Sequence, residues 1–300
     1  MTVLVLFLVV VAWLALPFVP AVHEAIRRRD DGALPISDRY VEDLAGAPAP
    51  PASEAPAEGA RVGGYAYVGE PGLVTDEVAV RGVARLAAGS EVLRRVTAGV
   101  GVEVEPGAVL RGSVEAGEVV WLGTGVTFER VHAPLVEVGV AAGEPPERGG
   151  PTTPLALPDA EVLAGRALVT GDLTVPAGHR VEGDLVVTGD LTLRDGAAVT
   201  GHVKAHGDVA LATGARVGGN LFANGSVGLG PWAAVGGAAV AERTLRLGRG
   251  ASVGRPVAPA TASGRHVVMA SGARVYGTLW AEEGGRTVAE PEPAAEPATA

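Results

Sequence analysis

The stretch that decides the fold runs Leu173-Thr-Val-Pro-Ala-Gly178-His-Arg-Val-Glu-Gly183-Asp-Leu-Val-Val-Thr-Gly189-Asp-Leu-Thr-Leu193. From Leu173 to Val253 nearly every odd-numbered residue is small or apolar, and most even-numbered ones are polar, Gly or Ala. A period of two marks a strand with one buried face. In an ordinary sheet, loops of arbitrary length destroy that phase. Its survival over about 80 residues requires turns that consume a fixed, even number of positions. That is the behaviour of a solenoid.

A second period agrees. The pattern Gly-x-x-Val falls at Gly178/Val181, Gly196/Val199, Gly214/Val217 and Gly250/Val253, with Trp232/Val235 filling the missing step, at intervals of 18 residues. Further glycines recur at Gly183, Gly201, Gly219 and Gly237. Gly272/Val275 with Gly277 continues the series after a four-residue insertion that preserves parity. Eighteen residues divide into three faces of six, with Gly at bends that a Cβ would hinder. The fold expected is an all-β triangular β-helix with about 18 residues per coil.

An earlier segment carries the same period in the opposite parity. Gly89/Val92, Gly107/Leu110 and Gly125/Phe128 are again 18 apart, but here the apolar series is even, from Val80 and Leu86 to Val126 and Phe128. The phase changes across a Pro/Gly stretch, Gly143 to Pro154, that cannot hold a strand ladder. The organisation expected is a membrane helix over 1–24, a disordered linker over 25–59 and a first β-helical block over 60–141. A Pro/Gly linker over 142–158 follows, then a second block over 159–284 and a disordered acidic tail over 285–300. Whether the blocks stack on one axis is left open by the sequence.

Composition limits the function. There is no Cys, so disulfides and thiolate metal sites are excluded. Aromatic residues make up 4%, too few for a conventional globular core of this length, whereas a narrow solenoid interior is filled by Val, Leu, Ala and Gly. A net charge of −10 without a basic patch argues against a nucleic-acid partner.

Thr2 to Val22 carries no charged side chain, which suffices for a bilayer-spanning helix. Trp13 suits an interface, and Arg27, Arg28 and Arg29 follow with no Lys or Arg before the segment. By the positive-inside rule the downstream chain faces the cytoplasm, on a single-pass anchor in the inner membrane. The competing reading is a cleaved signal peptide, which would make the protein a secreted or surface solenoid; the missing positive n-region and the length of the run count against it.

With these repeats laid out, the chain resembles the bactofilins, a family of bacterial polymer-forming cytoskeletal proteins. The resemblance rests on Thr170-Gly-Asp-Leu-Thr-Val, Glu182-Gly-Asp-Leu-Val-Val and Thr188-Gly-Asp-Leu-Thr-Leu, with the Gly-Ala-x-Val-x-Gly units at Gly196 and Gly214. It covers residues 160 to 282 well and 60 to 140 more loosely. It implies a right-handed coil and a homopolymer that forms without nucleotide or other cofactor, often at a membrane, and that organises protein partners. The second block and the clear membrane segment depart from the family's pattern.

Solenoid physics supplies its own reason to assemble. A terminal coil exposes unpaired N–H and C=O groups that stack on another copy unless capped. The expected assembly ends are Val62, Tyr65 and Tyr67 in the first coil and Val275, Leu279 and Trp280 in the last. The alternative is a hexapeptide-repeat acyltransferase, which needs a His base. His202 and His206 form the one close pair, flanking Lys204 on the outward parity, and His179 lies at a corner. Asp172, Asp184, Asp190 and Asp208 are spaced 12, 6 and 18 apart, which misses the nine-residue register of calcium β-rolls and reads as turn chemistry. Catalytic, cofactor and metal residues are therefore all expected to be absent, and the protein is read as a scaffold and not an enzyme.

Overall fold

The computed structural model describes residues 60–62, 64–139, 153–157, 160–163 and 166–289. Thr2 to Val22, Trp13, Arg27 to Arg29 and the residues after 289 lie outside them. The described part is all β, a parallel β-solenoid of about 11 turns, with three short strands in each regular coil. Residue i pairs with residue i+18 on the next coil, as in Leu173–Leu191–Val209–Val227–Leu245. The same step joins Val78, Val96 and Val114 in the first block. No helix among the described residues is long and apolar enough to cross a membrane.

One turn of each coil is tight. The tight turn carries a residue of positive φ at Gly89, Gly107 and Gly125, and again at Gly178, Gly196, Gly214, Gly250 and Gly272. Trp232 holds the same turn at φ 60°. The insertion near residue 260 is a small side loop, Arg255 to Ala258, closed by an antiparallel bridge. It leaves the following strand, Ala260–Ala270, in phase with Ala239 and Leu245 of the preceding coil.

The two blocks share one axis, and they run in opposite directions. The first ends in the long strand Thr127–Val138 and the second in Arg274–Val288. These two pair antiparallel, so the last coil of one block lies on the last coil of the other. The buried column Val181–Val199–Val217–Val235–Val253–Val275 continues across the contact into Val136–Val120–Val102–Ala84. Every member is 2% exposed or less, and both blocks belong to one hydrophobic core.

Two boundaries differ from the sequence expectation. The second block begins before residue 159, because Thr153–Pro154 already pairs with His179–Arg180. It also ends later than residue 284, since strand pairing persists to Val288 opposite Ala270. Glu282-Glu-Gly-Gly285 looks like the start of a polar tail, yet pairing resumes at Gly284 opposite His266, and Gly285 has Val267 on one side and Phe128 on the other.

Candidate assembly interface

The contact between the two blocks crosses all three inner columns of the coil. Val131 faces Leu279 and Val136 faces Val275, all four fully buried, and Phe128 faces Gly285. Phe128 is the largest fully buried type of side chain in the core, at 2% exposure. A Cβ on Gly285 would stand 2.2 Å from its ring, so the missing side chain is the space the ring occupies.

Polar groups close the corners of the contact. Thr287, itself buried, donates its hydroxyl to the Gly123 carbonyl at 2.6 Å and accepts the Val126 N–H at 2.9 Å. Its N–H donates to the Val126 carbonyl, and the Gly125 N–H donates to the Thr287 carbonyl. On the outer surface Arg274 pairs with Glu137 at 2.9 Å, with Glu137 only 13% exposed, and His132 Nδ1 lies 2.9 Å from Thr278 Oγ1. Between Phe128/Gly285 and Arg130/Trp280 the strands separate around Glu129, and a groove of about 530 Å³ opens there. Its Glu283 is already engaged by His266 at 3.2 Å and Arg265 at 3.5 Å.

This corrects the expectation for the C-terminal end. Val275 and Leu279 are not a free edge, because the chain covers them with its own first block. Trp280 pairs with Arg130 in that contact and keeps its side chain half exposed on the outer face. Phe128, Gly285 and Thr287 went unnoticed in the sequence as a contact, since Gly-x-x-Val repeats read alike in either direction.

The first coil is different. Ala60–Val62, Ala66–Val68 and Leu73–Val74 each pair on one side only among the described residues. Val62 lies opposite Ala79, and Tyr67 packs against the core. Tyr65, Val68 and Leu73 are 75%, 72% and 60% exposed. The opposite end of the solenoid, where the second block begins, has added segments over two of its three strands, Leu173–Val175 pairing with Leu191–Leu193 alone among the described residues. Leu155 and Leu157 pack on the core, and Glu161–Leu163 folds antiparallel on Arg166–Val169.

The histidines and aspartates turn out to be corner parts. The Asp190 N–H donates to Asp172 Oδ1, the Asp208 N–H to Asp190 Oδ1 and the Ser226 N–H to Asp208 Oδ1, all at 2.7 Å. A second ladder runs from Asp184, which accepts the His202 N–H, through His202 Nδ1, which accepts the Asn220 N–H, to Asn220 Oδ1, which accepts the Ala238 N–H. Nδ1 of His202 fills this role only while it carries no proton. His206 is exposed, and His179 is half-buried with Nδ1 3.0 Å from the Ala177 carbonyl oxygen. From the second coil of each ladder onward, the glycine before the ladder residue makes room for the acceptor of the preceding coil: a Cβ on Gly207 would meet Asp190 Oδ1 at 2.0 Å.

Charge on the flat faces of the first block is paired across coils. Glu103 hydrogen-bonds Arg85 and holds that guanidinium above its already high ordinary pKa; Glu91 does the same for Arg111. These exposed pairs add little stability. Among the described residues no group of three or more His, Cys, Asp or Glu is placed to hold a metal ion. No known family model, curated protein or solved structure matches the chain.

Proposed function

We propose that this chain is a membrane-anchored β-helical scaffold that self-associates end to end without nucleotide and gathers partner proteins on its tails and outer faces. The observation that carries this reading is that coil ends of this chain bind coil ends. One such contact is made inside the chain, and the three strands of the first coil pair on one side only among the described residues. The Gly-Asp-Leu motifs support the likeness to bactofilins and with it a right-handed coil. The uncharged run Thr2 to Val22 followed by Arg27, Arg28 and Arg29 supports an inner-membrane anchor with the solenoid in the cytoplasm.

The test is a cell expressing the full chain with a reporter fused after Ala300. The scaffold reading expects the chain in the membrane fraction, the reporter active only on the cytoplasmic side, and cross-linked species larger than one chain. Val68→Asp with Leu73→Asp should remove those larger species and leave the thermal midpoint of the solenoid within a few degrees of wild type, as surface changes do. A protein that never cross-links to itself, or a reporter active in the periplasm, overturns it.

A further inference from the structure

We infer that association of this chain closes at two copies, joined head to head through the coil Ala60–Val74. This rests on the self-association proposed above and adds its stoichiometry and symmetry.

An end coil presents three strand edges at once, in a triangular array about one axis. A single strand or helix matches one edge; only another coil of the same cross-section matches all three. The junction between the blocks has this form: two coils of opposite direction meet antiparallel, and all three inner columns are filled at the contact. Two first coils brought together about a two-fold axis reproduce that arrangement, because opposed copies run in opposite directions. The interface is isologous and closes on itself.

The other possible mates are occupied. Val131, Val136, Leu279 and Val275, which would form the tail contact, are buried against each other within one chain. Covalent connection keeps that contact intramolecular at a high effective concentration, so a second copy does not displace it. The starting coil of the second block offers a poor edge. Pro154 stands in its outermost strand and has no N–H to donate. Leu155 and Leu157 lie over the core, and the antiparallel Glu161–Leu163 breaks the parallel coil register. Exposed Tyr65, Val68 and Leu73 have no counterpart there among the described side chains. Among the described residues, unpaired strands at one end and added segments over the other give a dimer, whereas a filament needs two unpaired ends.

Magnitude selects the experiment. Six residues at about 3.3 Å give a triangle with sides of about 20 Å and an area of about 170 Å², far smaller than the roughly 800 Å² per partner of a standard interface. The contact is therefore in the weak class, populated at about micromolar concentration and above. Sedimentation equilibrium of the full chain in detergent micelles over that range should fit monomer and dimer, with nothing larger. Electron micrographs should show rods of about 50 Å, from about 11 turns at about 4.8 Å each, and rods of twice that length. Val68→Asp with Leu73→Asp should leave only the short rods. Longer filaments would overturn the closure while leaving self-association standing. A monomer at every concentration would overturn both.

Discussion

The two blocks build the same 18-residue coil with different corners. In the first, one backbone carbonyl takes two N–H groups from the next coil: the Gly82 oxygen accepts from Val100 at 3.0 Å and Gly101 at 3.3 Å. The Val100 oxygen likewise accepts from Glu118 at 2.8 Å and Val119 at 3.3 Å. In the second block the corner N–H goes to a side chain instead, through the ladders that start at Asp172 and Asp184. The difference shows which residues a corner restricts. A carbonyl solution leaves the side chain of the donating residue free, so Val83, Gly101 and Val119 succeed one another at the corner position that a ladder residue holds in the second block. A side-chain solution demands a short acceptor, and the second block uses Asp, Asn or His there. The recurring Gly-Asp pair is thus the mark of one way of satisfying a buried edge, while the coil itself needs no such pair.

The largest effect is expected where the two constructions meet. Phe128→Ala empties the space beside Gly285 and should cost about 3–5 kcal/mol, as large-to-small core substitutions do. Because the inner columns run through this contact, the wild-type blocks should unfold together. In the variant, calorimetry should resolve two transitions, one for each block. A single transition at an unchanged midpoint would mean that the junction does not couple the blocks.

A smaller effect separates the corners themselves. In the first block a Cβ on Gly117 would meet the Gly99 carbonyl oxygen at 2.1 Å. Backbone cannot rotate away, so Gly117→Ala should cost about 1–3 kcal/mol, the usual range for overpacking. In the second block the nearest obstacle to Gly207→Ala is the Asp190 carboxylate, the end of a side chain that can swing out. Its cost should therefore depend on Asp190. Measured by chemical denaturation on an Asp190→Ala background, Gly207→Ala should cost less than on wild type, with a coupling of about 0.5 kcal/mol or more. Strict additivity would separate the glycine from the ladder and remove the distinction between the blocks.

Much of this was legible in the sequence for a local reason. Strand parity and the 18-residue step are repeated many times within short windows, so Leu173 to Val253 specifies its coils without any long-range information. Gly183-Asp184 and Gly189-Asp190 were legible as turns. Their 18-residue recurrence also carried the ladder, once a side chain is allowed to serve the next coil. The opposed directions of the blocks were not legible. That arrangement depends on Phe128, Val131 and Val136 meeting Gly285, Leu279 and Val275, residues more than 130 positions away. No local pattern distinguishes a coil end stacked on its own chain from one left open. Val275 and Leu279 read as a free edge for this reason, although they pair with the first block.

Trp232 gives the smallest effect and the finest test of the tight turn the two blocks share. It is the one non-glycine residue at positive φ among the described residues, in a turn held elsewhere in both blocks by glycine. Such a backbone costs a residue with a Cβ about 1–2 kcal/mol. The compensation is visible on the next coil, where a Cβ on Gly250 would lie 2.5 Å from the indole ring. The ring therefore rests on the bare backbone of Gly250 and covers it. In Trp232→Gly the relief of strain and the loss of that cover oppose each other. The net change in unfolding free energy should stay within about 1 kcal/mol, against about 3–5 for removing a buried aromatic with no strain to release. Gly250→Ala, which forces the ring away and strains a second left-handed position, should destabilise more than Trp232→Gly does. If the order were reversed, the indole would be held by something other than the bare backbone beneath it.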